Sequence, residues 1–421
     1  MFFKVLLFLL IGLTCLSLYA ATEEEVTRMK CFDEEHCKCT ENRVECKCTN
    51  GGSLTMIPFL KYLAEVVTVD GCNRVEVSIG SLSGSFLEKA SFTNINNLVI
   101  KSFGIAGRSF STKKVDSIIR FENISSLFIE SFGITALHKV RVFIMKNVTI
   151  EKLDSFAITG IDMTHFVIVN STLLYLDTLA LHLTNVLDFT VMNSNIVYAA
   201  NLSFVIKDSH NVFFENCYFH YSASDSIFLA YINSVNILNC TFESLPATIF
   251  WARGRTFRFH RNIVRRYSEE NAFQMVLSNR IEFTDNSFRS VALNSILPNP
   301  NANISAEDTI FNIDGNSFYC ECPISWIFND STFYSRVIES SFCSNLPQLK
   351  LKQLVSFFER KDMCLHPVHD NVNHDMLHIF PFAMDKIKSK RLRSNTSAIV
   401  PLNALTFILL FLTYLHKYYD S

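Results

Sequence analysis

The residues of this 421-residue chain that could do chemistry are mainly 13 cysteines, 12 histidines and a short arginine run, and their spacing decides what they could do. Cys31, Cys37, Cys39 and Cys46 cluster near the start, and Cys320, Cys322, Cys343 and Cys364 near the end. Cys48, Cys72, Cys217 and Cys240 lie between them, while Cys15 falls within an apolar leader. Removing that leader leaves 12 cysteines, and an even number in a secreted chain favours disulfides over metal or redox chemistry. His366, His369, His374 and His378 include a His-x2-His step of the kind that holds zinc, but the stretch reads as an ordinary polar stalk and no metal site is expected. Arg253, Arg255, Arg258, Arg261, Arg265 and Arg266 fall within one repeat and could receive a sulfated glycan or acidic lipid, although such a run is more often a solvated face. The sequence has no Gly-x-Ser-x-Gly elbow, phosphate loop or His-Glu-x-x-His stretch, so neither an enzyme nor a bound cofactor is expected.

Composition narrows the class. A net charge of -2, 49% hydrophobic residues, 39 Phe and only 12 Gly and 9 Pro exclude disorder, collagen-like repeats and an electrostatic nucleic-acid binder. Residues 1–21 read as a cleaved secretory signal: Lys4, an apolar run, then the small residues Ala20 and Ala21. Sequons at Asn123, Asn147, Asn170, Asn201, Asn239, Asn303, Asn329 and Asn395 fit passage through the secretory pathway. The apolar run Ala404–Leu415 follows small polar residues at 394–397 and a spacer, the order of a GPI-attachment signal. The alternative, a type I spanning helix over Ala398–Leu415, is barely the ~17 residues a bilayer needs. It would also place Lys386, Lys388, Lys390, Arg391 and Arg393 outside and only Lys417 inside, against the usual charge bias. A lipid-anchored position on the outer face of the plasma membrane is therefore expected.

Between these ends the chain repeats. Apolar pairs two residues apart recur at Val75/Val77, Leu98/Ile100, Ile119/Phe121, Phe143/Met145, Phe166/Ile168, Phe189/Val191, Val212/Phe214, Val235/Ile237, Phe257/Phe259, Ile281/Phe283 and Phe311/Ile313. The interval between them is nearly constant, with one longer step at the end, from Ile281 to Phe311. This is the mark of a solenoid whose coils bury their faces only against their neighbours. Period-2 Phe, Val and Ile make each pair a strand. A second strand starts with a small residue in Ala157-Ile158, Ala180–Leu183, Ser203–Ile206, Ser226–Leu229 and Ala272–Met275. Two parallel strands per coil, filled with Phe rather than Leu, predict right-handed parallel β-helix coils of about 23 residues. A leucine-rich repeat solenoid is the alternative.

The cysteine clusters supply that alternative. Cys31-x5-Cys37-x-Cys39-x6-Cys46 resembles the N-terminal cap of extracellular leucine-rich-repeat proteins, and Asn316-Ser-Phe-Tyr-Cys320-Glu-Cys322 with Trp326, Cys343 and Cys364 resembles their C-terminal cap. The resemblance implies the pairs Cys31–Cys39, Cys37–Cys46, Cys320–Cys343 and Cys322–Cys364, and leaves Cys48 and Cys72 to staple the first coil to its cap. Cys217 and Cys240 occupy equivalent places in adjacent coils; a disulfide and a pair of buried thiols are both open. The resulting division is 1–21 signal, 22–74 N-terminal cap, 75–318 solenoid, 319–365 C-terminal cap, 366–397 membrane-proximal stalk and 398–421 hydrophobic tail.

The residues between the inward members of each pair should face out. Paired carboxylates do not recur at one register there, as acid–base glycoside chemistry would require. The middle coils instead expose Ile144, Val167, Val169, Met192, Phe213 and Leu238, bordered by Arg258 and His260. An apolar patch of this kind marks a contact surface, or else is ordinary core covered by a loop or by the N-terminal segment; a contact surface is the expectation. The expected protein is a cell-surface recognition or adhesion glycoprotein that binds an extracellular protein or a second copy of itself; a carbohydrate-active β-helix enzyme and an extracellular-matrix component are the alternatives. The asparagines before the turn, Asn147, Asn170, Asn193, Asn216 and Asn239, form a column suited to a side-chain amide ladder, favoured at Asn193 and Asn216 because the other three are sequons.

Overall fold

The computed structural model describes residues 33–353, except 34, 41, 49–50, 57–64, 83–86, 107–116, 293, 297–309, 321–323, 325–326, 328–331 and 347–348. The signal segment, Cys31, Cys322, Cys364, Asn303, Asn329, Asn395, the four stalk histidines and the hydrophobic tail lie outside the described residues. Among the described residues no helix is long and apolar enough to cross a membrane.

The chain winds into a parallel β-solenoid of about 11 turns, each about 23 residues. One coil shows how the residues make it. The strand Leu181–Met192 bends at Asn185, the strand Asn195–Ala199 follows a second bend at Asn193, and Leu202 turns the chain into the next coil. All three bend residues have positive φ, at 55°, 47° and 51°. Asparagine tolerates this left-handed conformation best among the non-glycine residues, which accounts for its enrichment at the corners. Each coil is thus a triangle with three strand faces. Face A contains Leu181–Thr184, face B Asp188–Met192 and face C Asn195–Ala199, each pairing in parallel with the same segment one coil away.

The sequence reading of two strands per coil therefore becomes three. The missed face is short: in several coils it is a two-residue strand such as Thr172–Leu173, Thr241–Phe242 or Ile263–Val264. Two residues cannot display a period, so the single inward Leu173, Ile196, Phe219 or Phe242 looks like the end of a turn. The same face explains a slip in register. Val75 and Val77 pair with Leu98 and Ile100, and these in turn with Leu127 and Ile129 on face C, whereas the partners of Ile119 and Phe121 on face B are Ala90 and Phe92. Glu76 and Val99 accordingly belong to face C.

Inside, aromatic columns run along the axis. Phe92, Phe121, Phe143, Phe166 and Phe189 are fully buried and follow one another with centroids 5.3, 5.7, 4.7 and 5.4 Å apart. Full burial of each such ring contributes about 1.5–3 kcal/mol. Where one coil is a residue short, the backbone cuts the corner at Gly254, and a Cβ there would meet the Ile232 carbonyl oxygen at 1.9 Å. Glycine is the one residue that allows this approach.

The corner between faces B and C carries two polar ladders. The exposed one links Asn123 to Asn94, Asn147 to Asn123, Asn193 to Asn170 and Asn216 to Asn193 through Nδ2–Oδ1 hydrogen bonds of 3.0–3.3 Å. It therefore includes the sequon residues Asn123, Asn147 and Asn170 as well as Asn193 and Asn216. A second, buried ladder lies one residue further on or close to it. Ser171 Oγ accepts from the Val148 backbone N–H, Ser194 Oγ from that of Ser171, Asn262 Oδ1 from that of Cys240, and Asn286 Oδ1 from that of Asn262. Cys217 and Cys240 occupy the middle rungs as free, buried thiols. They lie 3.3 and 3.5 Å from the Val191 and Phe214 carbonyls, the role that Asn262 Nδ2 plays toward Ile237 O.

The ends are closed by disulfides. Cys37–Cys46 ties the first antiparallel hairpin, Cys48–Cys72 joins two successive coils, and Cys320–Cys343 fixes the last coil, beside the helix Thr332–Ser340. Cys39 is also disulfide-bonded. The parallel ladder already begins where Arg43–Lys47 pairs with Val66–Asp70, inside the segment read as a separate N-terminal cap. The Cys48–Cys72 bond is accordingly a coil-to-coil staple, and the repeats start earlier than residue 75.

Candidate functional site: the outer surface of face B

On face B the outward side chains form two parallel columns. The first runs Arg120, Ile144, Val167, Thr190, Phe213, Asn236, Arg258 and Glu282; the second Glu122, Lys146, Val169, Met192, Glu215, Leu238, His260 and Thr284. The register brings Ile144, Val167, Val169, Met192, Phe213 and Leu238 together. All six are half-buried rather than sealed in the core. From Ile144 to Asn236 is four coil steps, about 19 Å at ~4.8 Å per step.

Charges at both ends of this patch are matched within the chain. On one side Glu122 accepts from Lys146 at 2.8 Å and lies 3.6 Å from Arg120. The Lys146 hydrogen bond, with the positive charges of Lys146 and Arg120, holds the Glu122 carboxyl below its ordinary value despite the opposing effect of burial. On the other side Arg258 and Arg280 both pair with Glu282, which is 5% exposed. Burial would raise the Glu282 carboxyl, but the Arg258 hydrogen bond and the two guanidinium charges outweigh it and hold it low. His260 Nδ1 lies 2.7 Å from the Thr284 hydroxyl. At the two ends of the patch Glu122 and Glu282 are therefore kept ionised by cations. A general acid would require the reverse shift.

The arginine run shares a coil but not a face. Arg253 covers the Tyr231 ring at 4.7 Å, Arg258 lies on face B, Arg261 is 3.9 Å from Asp285 at the corner, and Arg265 and Arg266 pair with Glu243 on face C. The Tyr218 hydroxyl donates to Glu243, and this bond together with the two arginines keeps that carboxyl low. The glycan-binding strip read from the run is thus divided among surfaces that point in different directions. Among the described residues no group of three or more His, Cys, Asp or Glu could hold a metal.

Sequence reasoning missed three features. Phe228 and Trp251 stack on the outside of face A with centroids 4.3 Å apart. Tyr175, Tyr198 and Tyr221 stack along the outer edge of face C, at 4.8 and 5.1 Å. Asn262, Asn286 and Asn316 form the buried ladder. The signal for the tyrosines was available, since they recur once per coil, but no neighbouring apolar strand drew attention to them.

The family described as right handed beta helix region matches residues 132–288 and 179–336. Those matches span the coils that carry the face B patch. No curated protein and no solved structure matches the chain.

Proposed function

We propose that this chain is a cell-surface recognition or adhesion protein that binds a protein partner through the outer surface of face B. The observation that supports the reading is the in-register patch of Ile144, Val167, Val169, Met192, Phe213 and Leu238, flanked on both sides by charges ion-paired within the chain. Such a flat apolar area with a polar rim has the anatomy of a protein interface. The rigid, extended frame suits binding, and Glu122 and Glu282 at the ends of the face B patch are held in the form least suited to proton donation, so we place the protein outside the enzymes.

The position we propose for it is the outer face of the plasma membrane, with glycans at sequons whose side chains are not bonded within the chain, such as the exposed Asn239, and a C-terminal lipid anchor. Coil-to-coil disulfides agree with an oxidising compartment. Treating intact cells with phospholipase C tests the anchor: release of the ectodomain is expected, and retention with residues 417–421 intact would replace the anchor by a spanning helix. For the binding surface, a Val167→Asp/Phe213→Asp variant that is secreted normally should lose cell-surface binding or self-association measured by sedimentation. Unchanged binding by that variant would overturn the reading.

A further inference from the structure

A second surface, on face C, carries an inference of its own. The column along its outer edge reads Lys152, Tyr175, Tyr198, Tyr221, Ser244 and Tyr267, one position in each successive coil at a constant interval. Lys152 lies over the Tyr175 ring at 5.7 Å, and Tyr175, Tyr198 and Tyr221 stack with interplanar angles of 0° and 12°. At Ser244 the ladder loses a ring, and the register resumes at Tyr267 through the bridge between Leu245 and Ser268. The gap opens as a cleft of about 380 Å³ lined by Asn201, Tyr221, Ser224, Ser244, Tyr267 and Glu269 among others. Two coil steps separate the flanking rings, about 9.6 Å at ~4.8 Å each. A flat group midway would sit within the ~6 Å of both ring centroids at which a cation is attracted to an aromatic face.

The rest of the surface indicates what that group is. Tyr175 has Lys152 over its ring, Tyr218 has Arg265 at 5.1 Å, Tyr231 has Arg253 at 4.7 Å and Tyr319 has Arg289 at 5.8 Å. Tyr221 and Tyr267 are 51% and 43% exposed, and among the described residues neither ring carries a cation of this chain. Glu269, whose Oε2 accepts from the Ala247 N–H at 2.8 Å, forms no ion pair among them. Arg266, beside Tyr267, is turned to Glu243 at 3.1 Å.

We propose that the slot between Tyr221 and Tyr267 receives the guanidinium of an arginine side chain presented by another polypeptide, stacked between the rings and paired with Glu269. Arginine fits better than lysine because its charged group is planar and its fork matches a carboxylate. The site lies on a different face from the apolar patch and stands or falls independently of it.

The test uses the purified full chain and Nα-acetyl-arginine amide, followed by saturation-transfer NMR. Binding is expected, at least tenfold tighter than that of the neutral isostere Nα-acetyl-citrulline amide. Ser244→Tyr completes the ladder and fills the slot, so it should abolish the signal while leaving the melting temperature unchanged or raised. Glu269→Gln keeps an acceptor for the Ala247 N–H and should weaken binding about tenfold. Equal binding of the citrulline amide, or arginine binding that survives Ser244→Tyr, would overturn the proposal. Tighter binding of free arginine than of its amide would make the ligand a free amino acid. If N-acetylglucosamine binds in a manner lost on Ser244→Tyr and the arginine amide does not, the slot holds a sugar ring instead.

Discussion

Asn286→Ala should be among the most damaging single changes in the solenoid, although it removes no apolar contact. Asn286 is 1% exposed. Its Oδ1 accepts from the Asn262 backbone N–H at 2.8 Å and from Asn262 Nδ2 at 3.2 Å; its Nδ2 donates to Phe259 O at 2.8 Å and to Asn316 Oδ1 at 2.9 Å. Alanine leaves a buried N–H and a buried carbonyl unpartnered, at about 1–3 kcal/mol each, so the expected loss is about 4 kcal/mol, concentrated in the coils of residues 256–288. Asn193→Gly keeps the positive φ of 47° without strain and breaks a ladder of the same chemistry on an exposed residue, where water replaces the lost partners, and should cost under about 1 kcal/mol. Asn286→Ser should recover part of the loss, because serine already serves this column at Ser171 and Ser194. Long repeat arrays do not always melt in one step, so the measurement is hydrogen exchange of the Asn262 and Phe259 amides against that of distant coils. If Asn286→Ala and Asn193→Gly destabilised their coils equally, the assignment of the buried ladder as the determinant would be wrong.

Three further outcomes are expected. Cys240 is fully buried, burial pushes its thiol well up, and it acts as a neutral donor, so Cys217 and Cys240 should resist alkylation until denaturant unfolds the coils; Cys240→Asn, the rung used by the next coil, should be tolerated better than Cys240→Leu. Burial, aided by the charge of Lys207, lowers His182 from 6.5 to about 4; below 6.5 the unfolded chain takes up a proton that the folded chain refuses, so stability falls by at most about 3 kcal/mol as pH drops from 6.5 toward 4. His182→Phe should flatten urea midpoints over that interval. Phe166→Ala, which empties a fully buried place in the aromatic column, should cost about 3–5 kcal/mol in denaturant titration, whereas Phe213→Ala on the outer face should cost far less.

What was legible in the sequence follows from how the coil is built. Faces A and B have strands long enough to show two inward residues, and the pairs from Phe143/Met145 to Ile281/Phe283 predict the observed register residue for residue. The outward columns follow from that register, so the assembly of Ile144, Val167 and Phe213 was available from the pairs alone. Face C was not, because two-residue strands have no period. The slip at Val75 and Leu98 has the same origin: the coil from Phe92 to Phe121 is longer than those immediately after it, and an inward pair from the wrong face lay closer to the expected spacing. The state of Cys217 and Cys240 was left open because equal spacing says only that two side chains are neighbours. What decides it is the carbonyl above each thiol, which belongs to a residue 26 positions earlier.

A solenoid separates two kinds of constraint that a globular domain mixes. An inward residue is surrounded by its own coil and by the coils above and below, so its identity is set by packing. An outward residue touches mainly the equivalent residue one coil away, and a repeated column such as Tyr175, Tyr198 and Tyr221 is explained by that contact alone. Stacking does not explain an interruption. Ser244 within the tyrosine column forgoes a ring contact worth about 0.5–1.5 kcal/mol on each side, and the apolar run from Ile144 to Leu238 keeps on the surface area that polar residues would cover at lower cost. Neither improves the coil, and the proposed contacts would account for each. If Ser244→Tyr raised stability and changed no binding property, and Val167→Asp/Phe213→Asp did the same, the interruptions would be neutral drift and the outer columns would hold no information about function.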